Sequence, residues 1–340
     1  MAVVAGILAS CGGSPRSGTG VIPISLPTFK GCTIDNAGFA TDIAVPVRVI
    51  RPAPGNAIIT VGVCVNGEGP FPFVVDTGAS ATVIDSSLAA RLHLPTFDAH
   101  SGSSFGCTRT ISLTTTQRLS MDGLHLDPQV VVVGTIRSPL IPGLMGAIGS
   151  DVLSRFDAAR FDFQADTLTL AGPEGPPISS SVGDSHIHLD ATMRAGTNET
   201  IAASTQAQSA PIPDHPGDVL SVVRVHVQVA IAGQRSQTFL VDTGATRTFL
   251  APALAASADL EQAGDPFAGY AGYDCRVRIS TYKLNSWSID SIPLAPAIIY
   301  SSVLPPGQDG LLGAGTLQLY TPVVIDYRDS DLLLANDKRP

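Results

Sequence analysis

Basic side chains are scarce in this sequence: 20 Lys and Arg stand against 29 Asp and Glu, leaving a net charge of −9. A chain without a basic surplus lacks the electrostatic footprint of a nucleic-acid binder. Long apolar runs are missing too. No stretch approaches the roughly 18 residues needed to span a bilayer, so no transmembrane helix is expected. Charged residues are only 14% while hydrophobic ones are 44%, which excludes a disordered chain. Neither a Ser-His-Asp nor a Cys-His arrangement has supporting context. His186-Ile187-His188 with Asp190 lacks a partner cluster and reads as solvated histidines rather than metal ligands. What is abundant is turn chemistry, with 33 Gly and 26 Pro, which suits many short strands. The 340 residues leave room for two domains, each able to bury a core.

Those domains are visible as a repeat. Phe73-Val74-Val75-Asp76-Thr77-Gly78-Ala79-Ser80 returns as Phe239-Leu240-Val241-Asp242-Thr243-Gly244-Ala245-Thr246. The separation of 166 positions from Asp76 to Asp242 also relates Gly67 to Gly233, Leu88 to Leu254 and Leu94 to Leu260. Farther on, Ile148-Gly149 is matched by Leu312-Gly313, and Phe161-Asp162-Phe163 by Ile325-Asp326-Tyr327. An isolated Asp at the end of an apolar run is usually a turn former or cap. Two of them in matching frameworks make an internal duplication whose period is too long for a solenoid, so two similar lobes are expected.

Along the chain, an edge strand is expected at Ile43 to Ile50. A hairpin follows, with Ile58 to Val65 turning at Asn66-Gly67 into Phe71 to Val75. Asp85 to Leu94 has helical spacing, capped by Asp85 or Ser86. Strands are expected around 111–119, 130–133 and 161–170. Residues 173–217 are rich in Pro, Gly, Ser, Ala and Thr without sustained period and read as a linker. The second lobe opens with Val223, Val225, Val227 and Val229 alternating against Arg224, His226 and Gln228, which puts His226 on an exposed polar face. Pro252 starts its short helix.

The chemistry rests on the paired Asp residues. Two carboxyls within about 3 Å cannot both ionise and share one proton. The ionised member takes a proton from an attacking water while the protonated member donates to a carbonyl oxygen. The glycine after each Asp-Thr lets the backbone fold tightly and bring an amide near the carboxylate.

With Asp-Thr-Gly-Ala-Ser, Asp-Thr-Gly-Ala-Thr, Ala147-Ile148-Gly149 and Leu311-Leu312-Gly313, the sequence resembles the aspartic proteases over about residues 45–172 and 218–335. The partner glycines follow 73 positions after Asp76 and 71 after Asp242. The resemblance implies an all-β fold with short helices: two homologous, β-barrel-like lobes about a pseudo-two-fold axis, residues 45–172 and 218–340. It implies Asp76 and Asp242 as the catalytic dyad, supported by Thr77, Gly78, Thr243 and Gly244. It further implies that the strands ending at Gly149 and Gly313 cross beneath the active-site loops, and that the two threonines grip one another across the lobes. Ala after each Asp-Thr-Gly and the near-equal lobes look more like the retropepsin branch than the pepsin branch, here with both halves in one chain. Gly102, Phe105 and Gly106, with Gly269, Tyr270 and Gly272, are then flap candidates over a peptide substrate. Asp162 and Asp326 are read as structural.

Residues 1–10 are mostly apolar and run into Leu8-Ala9-Ser10-Cys11 and a Gly/Ser-rich stretch. This resembles a bacterial lipoprotein signal with Cys11 as the lipidated residue and 11–44 as tether and N-terminal segment. It departs from that signal in having no Lys or Arg before Cys11, which a start codon placed too late would account for. Without Cys11, the cysteines Cys32, Cys64, Cys107 and Cys275 allow three full pairings. A bond between Cys107 and Cys275 would tie the flaps together and hinder substrate access, so none is assumed there. The expectation is an aspartic-type endopeptidase, membrane-anchored in a bacterial cell envelope and facing the periplasm or outside. It acts as a monomer on peptide or protein substrates without metal or organic cofactor. The rival is a catalytically silent lipoprotein of the same fold that binds peptides or envelope partners.

Overall fold

A central strand must bury both faces, and Ile58–Val65 is built for that: all eight of its residues are buried. Asn66 and Gly67 take positive φ angles of 51° and 88° and turn the chain, so Glu68–Val75 returns antiparallel to it. The computed structural model describes residues 29, 31–32, 36–37, 42–104, 107–126, 129–136, 138, 141–175, 185–188, 190–194, 222–272, 275–290, 292–305 and 307–335. The proposed signal and lipidation site at Cys11 lie outside them, as do Phe105 and Gly106.

The duplication read in the sequence is a duplication of topology. In the first half, Glu68–Val75 is followed across the sheet by Gly146–Ile148, Val83–Asp85, Gln129–Gly134, Cys107–Thr116 and Thr96–Ser104. In the second half, Gln237–Asp242 is followed in the same order by Gly310–Gly313, Phe249–Leu250, Ala297–Ser301, Cys275–Leu284 and Gln262–Ala271. The fold is all-β and two-lobed, with four short helices among the described residues. Two of those helices begin as their sequences require. Asp85 caps Ser86–Arg91 by accepting from the Ser87 N–H, and Pro252 opens Pro252–Ser257. Among the described residues, no helix is long and apolar enough to cross a membrane.

The halves are joined by backbone. Ala158–Asp162 pairs antiparallel with Val323–Asp326, placing Phe161 against Val323. Each apolar-Asp-aromatic triplet ends in a turn that its Asp closes: Asp162 accepts from the Gln164 and Ala165 N–H groups, and Asp326 from those of Arg328 and Asp329. A single apolar cluster runs behind the sheets from Val61 and Phe161 to Val229 and Ile325.

Two short strands lie within 173–217, the segment read as a linker. Ser185–His188 pairs with Asp331–Leu334, and Asp190–Arg194 with Val222–Ile231. Together they take the place that Ile43–Ile50 takes in the first half, pairing first with the closing strand and then with the opening one. His186 and His188 therefore sit on a strand. Their polar sequence hides it, because a strand added along a sheet edge is held by main-chain hydrogen bonds that any residue except proline supplies.

Candidate active site

Each dyad residue is the end of a strand. Phe73, Val74 and Val75 run parallel to Gly146, Ala147 and Ile148, and the Asp76 N–H donates to the Ile148 carbonyl at 2.9 Å. Phe239 to Asp242 runs parallel to Gly310 through Gly313 in the same way. The chain then turns within hydrogen-bonding reach of its own carboxyl. The Gly78 and Ala79 N–H groups donate to Asp76 Oδ1 at 3.0 and 2.9 Å, and those of Gly244 and Ala245 to Asp242 Oδ1 at 2.9 and 3.0 Å.

The two loops face each other closely. A side-chain carbon on Gly78 would lie 2.5 Å from the Asp242 carboxyl carbon, and one on Gly244 would lie 2.3 Å from that of Asp76. Only glycine admits that approach. The threonines lock it in a reciprocal set of four buried bonds. The Thr77 N–H donates to Thr243 Oγ1 (3.1 Å) and the Thr243 N–H to Thr77 Oγ1 (3.0 Å), while the two hydroxyls donate to the Val241 and Val75 carbonyls (2.8 Å each). Beneath the loops, Gly149 packs on the Ala81 backbone and Gly313 on that of Arg247, so close that a β-carbon would sit 2.5 and 2.1 Å away.

Asp76 is 1% exposed and Asp242 0%. Burial, then the charge of Asp76, then the hydrogen bond between the two carboxyls, push Asp242 well above the usual carboxylate range, against the opposing pull of the Ala245 and Gly244 N–H groups. Asp242 Oδ2 meets no N–H or hydroxyl donor among the described residues. Two buried carboxyls so placed favour sharing one proton, and a pair that shares a proton can give and take protons at one point in space.

The structure thus brings together Asp76, Thr77, Gly78, Asp242, Thr243 and Gly244, with Gly149 and Gly313 behind them. The flap candidates among the described residues lie on two outer hairpins. Gly102 lies in Thr96–Ser104 opposite Arg109, Gly269 and Tyr270 lie in Gln262–Ala271 opposite Val277 and Arg276, and Gly272 begins the second hairpin's turn. Cys32 is bonded to Cys64 and Cys107 to Cys275. The second pair is one the sequence reading declined to assume. His226 is corrected: it is 9% exposed and packs on Gln308, its Nε2 3.3 Å from Gln308 Nε2, while Arg224 and Gln228 on the same strand are half-buried.

Three features escaped the sequence. Thr82 Oγ1 donates to the buried Asp151, and Thr248 faces Thr316 at the same place in the second half. Burial raises the Asp151 carboxyl above the usual range, with its Thr82 hydrogen bonds pulling the other way. Arg247 reaches from the second dyad loop into the first half, donating to the Pro54 carbonyl and Asn56 Oδ1, and its guanidinium lies 5.2 Å from the Tyr300 ring centre. The available signal was asymmetry, since the first copy has Ala81 where the second has Arg247.

A sequence profile described as aspartyl protease matches residues 61–148 and 227–316. No curated protein matches the chain. Among solved structures, a retropepsin-like aspartic protease from Rickettsia conorii is 21% identical, with 38% of this chain and 89% of that one covered at a TM-score of 0.27. Basic 7S globulin from soybean is 8% identical, with 87% and 96% covered at a TM-score of 0.45.

Proposed function

This chain belongs to the aspartyl protease family, and we propose that it is an active aspartic endopeptidase with Asp76 and Asp242 as its dyad. The observation that carries the reading is the facing, fully buried carboxyl pair, each member accepting from two backbone N–H groups. An extended peptide lies between the halves, bonded along its backbone like an added strand. With the pair singly protonated, the ionised carboxylate takes a proton from water as its oxygen attacks the scissile carbonyl. The protonated carboxyl donates to the carbonyl oxygen, giving a tetrahedral diol. The proton taken from water then passes to the amide nitrogen while the other carboxylate takes one from a diol hydroxyl, so that the C–N bond breaks, the amine and the new carboxylic acid leave, and the dyad ends with the one proton it began with. No covalent intermediate forms. Incubation with a peptide library, followed by mass spectrometry of the products, tests this; intact peptides from pH 3 to 7, with the outer hairpins freed as described below, would refute it.

The rival, a silent scaffold that binds peptides in the cleft, is favoured by one observation: both carboxyls are closed off from solvent. Binding of the same peptides without scission would decide for it.

Ala79 and Ala245 set the working pH in this reading and place the chain nearer the retropepsin branch. Each donates its backbone N–H to its own Asp, but its methyl adds no further donor. A hydroxyl bonded to the ionised carboxyl would lower the pair's first apparent pKa. The chain should therefore work at mildly acidic pH, and Ala79→Ser with Ala245→Ser should move the acid limb of the kcat/KM profile down. An unchanged limb would show that these residues do not set it.

We place the protein in a bacterial envelope, tethered through a lipid on Cys11. The Cys11 context and the two disulfides, which persist in oxidising compartments, support this. Cys11→Ser should shift the protein from the membrane to the soluble fraction on ultracentrifugation; a wild type that is already soluble defeats the idea.

A further inference from the structure

The outer hairpins occupy equivalent places at the far end of the strand order in each half. In the first, the last pair before the tip is Ser104 with Cys107; in the second it is Ala271 with Cys275. Each cysteine is thus the first residue of a return strand, and the two are bonded to one another. The bond is not an isolated surface link. Cys275 is 1% exposed, and with the half-buried Cys107 it belongs to an apolar cluster. That cluster takes in Ile111 of one hairpin, Ala271 and Ile279 of the other, and Ala81 and Ala245 of the dyad loops.

Steric size then decides what the bond does. Apolar contacts between two hairpins separate on a microsecond to millisecond timescale, as lids over active sites do. A covalent link does not. Two layers packed directly face to face already stand about 10 Å apart, so a polypeptide seated between them holds them farther apart still. The bonded pair holds its Cα atoms 6.1 Å apart, and no disulfide spans more than about 7 Å.

We propose that the Cys107–Cys275 disulfide is a redox-cleavable latch that shuts the cleft over the Asp76–Asp242 pair, and that a dithiol reductant opens it. The proposal rests on the peptidase reading. The chemistry is thiol–disulfide exchange. A thiolate of the dithiol attacks Sγ of Cys107, the more accessible sulfur, forming a mixed disulfide and releasing Cys275 as a thiolate that takes up a proton. The second thiol of the reductant then displaces Cys107. Two electrons pass to the protein, which ends with two thiols, and the reductant ends as a disulfide.

The test compares the oxidised full chain, the same chain treated with dithiothreitol, and a Cys107→Ser, Cys275→Ser double variant that keeps the Cys32–Cys64 bond. Cleavage of an unstructured polypeptide should be at least tenfold slower for the oxidised wild type than for the double variant, and reduction should bring the wild type to the variant's rate. Equal rates for oxidised wild type and variant overturn the latch while leaving the peptidase reading intact. Hydrogen exchange at the Gly78, Ala79, Gly244 and Ala245 amides gives a second readout that needs no turnover. It should rise at least tenfold when the bond is opened by either route, and unchanged exchange overturns the latch. Should no form cleave while exchange rises, the latch stands and the peptidase reading falls. Reduction of the wild type alone carries the test if the double variant does not fold.

Discussion

Asp242→Asn is expected to abolish peptide cleavage and, at neutral pH, to make the protein more stable. A positioned acid or base contributes about 10²- to 10⁴-fold, and this substitution removes one of the two carboxyls that share the proton, so a kcat loss at the upper end or beyond is expected. Asp76→Asn should do the same. A variant of either that keeps near-wild-type turnover would show that the pair is not the catalytic centre. The stability effect follows from the raised Asp242 carboxyl. Because its folded pKa lies above the unfolded value, the folded state binds the extra proton between the two. The associated stability is fully present below the unfolded pKa, near 3.8, and is lost as pH rises through the folded one. Across that interval the loss is about 1.4 kcal/mol per pH unit. Asparagine carries no titrating proton but can still accept from the Gly244 and Ala245 N–H groups. Its advantage over the wild type in unfolding free energy should therefore be small near pH 3.5 and grow as the pH rises above 4 towards the folded pKa. A constant difference across that range would mean that Asp242 does not retain its proton. Catalytic sites that store strain against stability commonly show this exchange.

The second large effect is expected at the threonines. Thr77→Val keeps shape and burial but removes one hydroxyl, and with it the acceptor for the Thr243 N–H and the donor to the Val241 carbonyl. Each buried polar group left unpaired costs about 1–3 kcal/mol, so a loss of roughly 2–5 kcal/mol is expected in urea unfolding. Thr243→Val should cost a similar amount, by stranding the Thr77 N–H and the Val75 carbonyl. The double variant should cost less than the sum, because both changes dismantle one network. Thr77→Ser keeps the hydroxyl and should lose only the contribution of one methyl, about 1 kcal/mol. Activity should follow the same order, since these bonds set the distance between the dyad loops. A Thr77→Val protein as stable as the wild type would show that the reciprocal bonds do not hold the halves together.

What the sequence determined by itself is the plan: two equivalent halves, mostly β, each delivering an Asp at the end of an apolar strand with a glycine-marked strand beside it. Those features are legible because they depend on residues close together in the chain. The Asn66-Gly67 turn and the Asp85 cap are local chemistry, and the repeat at 166 positions is visible without knowing any contact. Four things were decided only by the tertiary structure. Which cysteines meet, how Arg247 reaches Pro54 and Asn56, and whether His226 is buried against Gln308 all depend on residues that folding brings together from distant parts of the chain. Ser185–His188 and Asp190–Arg194 went unread for a related reason. Burial leaves an apolar period in a sequence, whereas edge pairing uses main-chain groups that every such sequence has.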